Sequence, residues 1–488
     1  MKKIIYCGII LYSLSFLLQG CTKFTDITPK GANVLNRVSD LDLLLNFNYS
    51  YNGAVTQTSL AGMTSAGEAF NPNDAEVLVN DVYPYVTNVA TILTGTTKDL
   101  NYALVTYNTS IDRKTLAVTD GKFEKMYFII NNVANIVIKN VDGASGDRVK
   151  ANQLKAEAYI IRAYMHYLLV NLYARSYNPA TAAKDGGIPY VKEDNLLTAP
   201  NLKSTVAQVY DNIVSDINSA LALKSLPSVP VNNMRVGLGF AYGVQAEVLL
   251  SMRNYTGALA AANASLAINS TVIDNNTFVP VGGVLFSKPA VTSADNLFYA
   301  TNKGTAVLQT MSPDLISNYY EPGDVINSSI KPYYPSVAGA LAITGIPGFK
   351  LWYYTAAPYA INTAGITTSE TSLIKAECLA RTQNVNGAMD IINAIRKKRI
   401  VASSYVPLTA TTEAGAIANL QKFSRIEYLF TFKNYLNIKR WNTEDAYKQT
   451  ITRNVNGQTF TLPPDSPLWI FPFPQSGTNY NTNLTQNY

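Results

Sequence analysis

The chain has 488 residues, long enough to bury most of the surface that its unfolded form exposes without covalent staples. Its formal charge is +6, only 15 % of residues are charged, and the one basic run is Arg396-Lys397-Lys398-Arg399; this argues against nucleic acid as a partner. A single histidine excludes a two-histidine zinc site, and 32 tyrosines against 17 phenylalanines and 3 tryptophans leave a polar surface of Tyr, Asn, Ser and Thr. Such a surface suits neutral, hydroxyl-rich ligands, although exported proteins in general carry it too.

The first predicted element is a leader. Lys2 and Lys3 precede an apolar run from Ile4 to Leu18, shorter than the ~20 residues of a membrane-spanning helix and arranged like a secretory signal. The ending Leu18-Gln19-Gly20-Cys21 resembles the lipobox of bacterial lipoproteins. This resemblance implies that residues 1–20 are removed and that Cys21 is acylated; the alternative is an ordinary signal peptide with an incidental cysteine. Loss of Lys2 and Lys3 lowers the charge from +6 to +4. Cys7 leaves with the leader, so only Cys378 stays free and no intrachain disulfide can form.

Beyond the leader, apolar residues recur at intervals of three and four over Phe123–Val141, Gln153–Tyr173, Val206–Leu223, Gly239–Ala267, Ser372–Arg396 and Ala414–Ile438, which predicts helices. Between them lie Ser-, Thr-, Asn-, Gly- and Pro-rich stretches at about 50–118, 175–200, 269–370 and 442–488, read as long loops and the places to seek a binding site. Ala246–Ala264 aligns without a gap on Ala376–Ala394, with identities at Ala-Glu, Leu249/Leu379, Asn254/Asn384, Gly257-Ala258/Gly387-Ala388 and Asn263-Ala264/Asn393-Ala394. Each copy reads as a helix, a polar turn at Arg253-Asn254 or Gln383-Asn384, and a second helix. That is a tetratricopeptide-type hairpin. The Ala156–Tyr177 helix opens on the same Ala-Glu pair and is a candidate third member. The predicted fold is therefore all-α, a tetratricopeptide-like scaffold with long irregular loops carrying minor β-structure, as a single domain over 21–488.

Enzymatic readings have little to stand on. Asp74 with Glu76, or Asp314 with Asp324, could pair as the two carboxylates of a glycosidase, but spacing in sequence does not set their separation. His166 lies among apolar neighbours and reads as a packed helix histidine with one hydrogen bond, not as a triad base. Arg162 reads as a structural partner of Glu157 or of a backbone carbonyl, and Cys378 as a small buried residue. Gly237-x-Gly239 lacks the third glycine and the preceding strand of a dinucleotide loop. No cofactor is expected; a calcium ion in the Asn- and Asp-rich loops stays open, without EF-hand spacing.

The segments QLKAEAYIIRAYMHYLLVNLYARSYNP and GGIPYVKE resemble the signature region of the SusD/RagB family of nutrient-binding outer-membrane lipoproteins. SDLDLLLNFNYSY, FEKMYFIINNVANIVIKNV, VYDNIVSDINSALALKSLP, LIKAECLARTQNVNGAMDIINAIRKKR and PLWIFPFPQSGTNYNTNLTQNY are similar to other family segments, in the family's order. FSRIEYLFTFKNYLNIKRWN departs from the family's charged pattern: Arg425, Glu427, Arg440 and Trp441 fit, whereas Phe423, Ser424, Thr431, Phe432, Asn434 and Asn437 do not. The departure puts an ion-pair network at the carboxy-terminal helices in doubt.

The resemblance implies a lipid-anchored outer-membrane protein facing the cell exterior. It would bind a glycan or similar nutrient, without catalysis, and sit on a SusC-like TonB-dependent transporter. Sugar rings need flat apolar partners for their C–H faces and polar partners for their hydroxyls. The candidate platforms are Tyr83 and Tyr85, Tyr319 and Tyr320, Tyr333 and Tyr334, and Trp352 with Tyr353, each also readable as a loop aromatic packed on the scaffold. The rival reading is a tetratricopeptide-type lipoprotein scaffold that binds protein partners only. A pure scaffold has little use for the long aromatic-studded insertion between Thr271 and Glu370.

Overall fold

The computed structural model describes residues 35–50, 67–84, 89–195, 199–277, 291–302, 307–325, 331–332, 350–354 and 361–488. Cys21, Tyr85, Tyr333 and Tyr334 lie outside these residues, and Trp352 and Tyr353 are described by backbone alone. The N-terminal part contributes α1 (Val38–Leu45), α2 (Asn73–Leu78), α3 (Gly121–Ile129), α4 (Asn135–Asn140) and α5 (Arg148–Tyr173). Aspartates start the last of these: Asp147 accepts from the Val149 N–H, just as Asp120 accepts from Lys122 at the start of α3. Two expectations are corrected here. The stretch read as a long loop before residue 118 holds α2 and short helices at Val89–Thr94, Leu100–Thr106 and Arg113–Leu116, each too brief to show a 3.6-residue period. A π turn at Ile130–Ala134 interrupts the predicted Phe123–Val141 helix, separating α3 from α4.

From Ile160 to Tyr173 every residue of α5 is buried, so this helix is enclosed on all sides and forms the centre of the core. α6 (Val206–Ala222), opened by a Thr205/Gln208 capping box, packs along it. Next come the hairpin α7 (Leu238–Ser251) and α8 (Tyr255–Ile268), strands β1 (Asn296–Phe298) and β2 (Val307–Met311), α9 (Pro313–Tyr319), and strands β3 (Lys331–Pro332), β4 (Lys350–Tyr354) and β5 (Ile366–Thr367). The second hairpin is α10 (Thr368–Arg381) and α11 (Val385–Arg396). It stacks against the first through α8 and α10, and α12 (Glu413–Glu427) adds to its far side. The scaffold is all-α and tetratricopeptide-like, with small antiparallel sheets: β1–β5, β2–β4–β3 and a late hairpin.

The internal repeat is structural down to single bonds. Arg253 and Gln383 both sit at positive φ, 61° and 66°. The following asparagine then caps the second helix: Asn254 and Asn384 each accept from the N–H three residues on, at 3.0 Å, from Gly257 and Gly387. A Cβ on either glycine would lie 2.9 Å from that asparagine side chain, which explains the shared Asn-x-x-Gly. The Ala-Glu glutamates are also equivalent. Glu157, Glu247 and Glu377 are all buried, and each meets a cation from a distant segment: Arg235, Lys433 and Arg440.

The predicted Ala414–Ile438 helix is two helices, α12 and α13 (Lys433–Trp441), because the chain turns sharply at Phe430, φ 66°. The doubt about ion pairs in this region is also corrected: Arg425 meets Asp81, Arg399 meets Glu427, and Arg381 meets Glu377, Glu413 and Glu444. After α13, a hairpin of β6 (Ile451–Val455) and β7 (Gln458–Leu462) turns at Asn456-Gly457, both at positive φ, as a two-residue turn requires. The remaining tail returns to the N-terminal half.

Candidate functional site

Tyr319 closes α9 and Tyr320 follows it, within the long insertion between Thr271 and Glu370, and both are half-buried. A polar cluster from four separate segments supports them. Asp81, just beyond α2, accepts from Arg425 of α12 and, at 2.8 Å, from the side-chain amide of Asn434 of α13. Burial opposes the charge on Arg425, but Asp81 more than offsets this and raises its pKa. The Tyr319 ring lies over that guanidinium at 4.7 Å, so the charge behind it is fixed and one ring face is used. Tyr320 has its hydroxyl buried without a hydrogen-bond partner among the described residues, and burial raises its pKa well above the usual tyrosine range.

Asn80, at φ 63°, ties the cluster together. Its amide donates to Asp314 Oδ2 at 3.1 Å, and its oxygen accepts from Ser312 Oγ and Arg453 Nε, each at 3.0 Å. Asn454 of β6 donates its backbone N–H to the same Asp314 oxygen at 2.9 Å. α9, and hence the tyrosine pair, is therefore set by the C-terminal hairpin. Sequence reasoning missed Asn80, Asp81 and Arg453, whose partners lie more than two hundred residues away; the Asn456-Gly457 pair was the available signal for the hairpin.

Tyr83 is placed differently from the expectation. Its ring is fully buried, with the Arg453 guanidinium 5.7 Å from the ring centre. It is a core residue with no face for a ligand. The acid pairs are used structurally as well: Asp314 holds Asn80 and Asn454, Asp74 bonds Lys122 at 3.0 Å, and Glu76 is buried. No group of three or more His, Cys, Asp or Glu among the described residues could hold a metal ion. Cys378 is buried, as expected, which pushes its thiol pKa up to about 12.

Arg162 and His166 pin the 186–193 segment to α5. Arg162 grips Asp216 of α6 through two bonds of 2.6 and 2.8 Å and also meets Glu193, not Glu157. Five residues apart on a helix, Arg162 and Glu157 point to different faces. His166 makes two hydrogen bonds where one was expected. Nδ1–H donates to the Arg162 carbonyl at 2.9 Å, Nε2 accepts from the Val191 N–H at 3.0 Å, and the ring stacks on Tyr190 at 3.8 Å. No helix among the described residues is long and apolar enough to cross a membrane.

Two family models match the chain: one described as "Starch-binding associating with outer membrane", SusD-like, over residues 72–250, and the SusD family model over 301–488. A SusD superfamily protein of Bacteroides thetaiotaomicron is similar with a TM-score of 0.67 at 17 % identity, covering 93 % of this chain and 100 % of its own. A SusD-like carbohydrate binding protein of Bacteroides vulgatus gives 0.64 at 16 %, covering 92 % and 97 %. A second Bacteroides vulgatus SusD superfamily protein gives 0.63 at 18 %, covering 93 % and 99 %. At this identity the likeness is one of fold. No curated protein matches the chain.

Proposed function

Because the chain belongs to the SusD/RagB family, we propose that it is a cell-surface capture protein that holds a glycan on loop aromatics and passes it to a SusC-like TonB-dependent transporter. Acyl chains on Cys21 hold it to the outer membrane, and residues 21–488 work as one SusD-like unit. Capture and release need no bond to be made or broken, so the protein is not an enzyme and requires no cofactor. The observation that carries the reading is the Tyr319-Tyr320 pair, half-buried within the long insertion and held by Arg425 and the Asn80–Asp314 bond. A platform so fixed loses little freedom when a sugar ring lies on it. Tyr85, Tyr333, Tyr334, Trp352 and Tyr353 are the further platform candidates; Tyr83 is not.

The test is calorimetry or affinity electrophoresis of the chain from Thr22 onward against neutral and charged polysaccharides. Tyr319→Ala/Tyr320→Ala and Trp352→Ala/Tyr353→Ala variants are measured alongside. One glycan class is expected to bind, with loss in at least one double variant that keeps its melting temperature. A folded protein that binds no polysaccharide overturns the glycan reading and leaves a non-glycan nutrient or the protein-only scaffold.

A further inference from the structure

Where α7, α10 and α13 meet, the structure leaves a small cavity whose lining is buried but for Asn437. Its volume is about 20 Å³, above the ~10–15 Å³ that one water molecule needs. Three charged side chains from the three helices face it: Glu247, Glu370 and Lys433, 5 %, 5 % and 4 % exposed. Lys433 donates to Glu247 Oε1 and, at 3.4 Å, to the Tyr164 hydroxyl. Glu247 Oε2 is buried and has no hydrogen-bond partner among the described residues.

Glu370 closes the capping box of α10, where its Oε2 accepts from the Thr367 N–H at 2.7 Å. The other charges nearby are matched already: Arg440 holds Glu377, and Glu427 at the end of α12 holds Arg399. Tyr167 of α5 is bonded to Ser251 at 3.0 Å, which leaves Tyr428 to bring a neutral hydroxyl. Two carboxylates thus face one ammonium, and an acceptor buried without a donor destabilises the fold. A donor is missing. Burial pushes the Glu370 carboxyl up to about 7, with Lys433 pulling it down and Glu247 adding to the rise.

We propose that this junction is a proton-binding site: Glu370 carries the proton, and one water in the cavity relays its hydrogen bond to Glu247 Oε2. Protonated, the junction of the three helices is neutral and fully bonded; as pH rises it loses the donor. The test follows the infrared band of protonated carboxyls in the full chain, held in detergent and labelled with carbon-13 glutamate. The band is expected to lose the intensity of one carboxyl with a midpoint near pH 7, and Glu370→Gln, which keeps the capping box, should lack that component. In Glu247→Gln, Lys433 is left to Glu370, and the midpoint should lie about one pH unit lower or more. The unfolded chain releases this proton at the ordinary value of 4.5, so the stability it confers is complete below that and is lost as pH rises through 7. From pH 6 to 9 the folding constant of the parent should therefore fall about tenfold relative to Glu370→Gln; His166 is common to both and cancels. Crystals of the full chain at pH 6 should show one water between the two carboxyls. The proposal is overturned if Glu370→Gln removes none of the band, if Glu247→Gln leaves the midpoint unmoved, or if the cavity is dry. Loss of the band on replacing choline chloride by sodium chloride at equal ionic strength would assign the cavity to a monovalent cation, and also overturns it.

Discussion

At the scale of single residues, His166 is a group whose protonation the structure resists. Burial lowers its pKa to about 3, and its Nε2 must stay unprotonated to accept from Val191. The unfolded chain takes up the proton near pH 6.5, so the stability this residue contributes is complete above that value and is lost as pH falls from there toward 3. Between pH 7.5 and 5 the loss is about 2 kcal/mol. His166→Gln, which does not titrate, should therefore show a shallower fall in melting temperature over that range than the parent; equal slopes would refute the assignment. The identity of this residue as a core histidine was legible in its apolar neighbours. Its second bond was not, because Val191 reaches it only through the packing of the segment after α5. Tyr83 shows the same limit more sharply. In sequence it lies in the loop-like run Asn80-Asp81-Val82-Tyr83-Pro84, and its burial involves segments remote in the chain, Arg453, 370 positions later, among them.

At the scale of elements, the two hairpins were legible because what makes them is local. An asparagine cap, a glycine three residues on and small alanines at the contact all lie within one turn of the bend they cause. Asn254→Ala and Asn384→Ala should each cost about 1 kcal/mol, read by chemical denaturation. Substituting Thr409, outside the caps, serves as control. The breaks at the π turn and at Phe430 were not legible, since periodicity runs through both and tertiary contacts decide them. The glutamate of each Ala-Glu pair makes a larger claim. Glu377 accepts from Arg440 at 2.8 and 2.7 Å and from the Trp441 indole at 3.0 Å, joining α10 to α13. Glu377→Leu leaves Arg440 buried without its main partner and should cost about 3–5 kcal/mol. Removing the exposed Lys448–Asp445 pair should change nothing measurable. A small effect of Glu377→Leu in the same denaturation experiment would mean that water replaces the carboxylate.

At the scale of the molecule, the C-terminal tail is a strap across parts of the chain that sequence treats as remote. Asn487 donates to the carbonyls of Tyr173 at 2.7 Å and Gly187 at 2.9 Å, Asn481 donates to the Asn201 carbonyl at 2.8 Å, and Lys203 reaches Thr485 and Asn487. Phe473 stacks on Tyr173 and meets Phe123 edge-on, closing the end of α5. These contacts hold the segment between α5 and α6 in the place where His166 and Arg162 receive it. Deleting residues 475–488 keeps Phe473 but removes every side-chain tie from the tail to 187–203. Hydrogen exchange should then speed up by orders of magnitude over 186–205. The α7–α8 and α10–α11 hairpins, to which the tail makes no hydrogen bond among the described residues, should keep their protection. Loss of protection throughout the chain would instead mean that the strap is part of one cooperative unit with the repeats, and that the two stretches matched by separate family models fold only together.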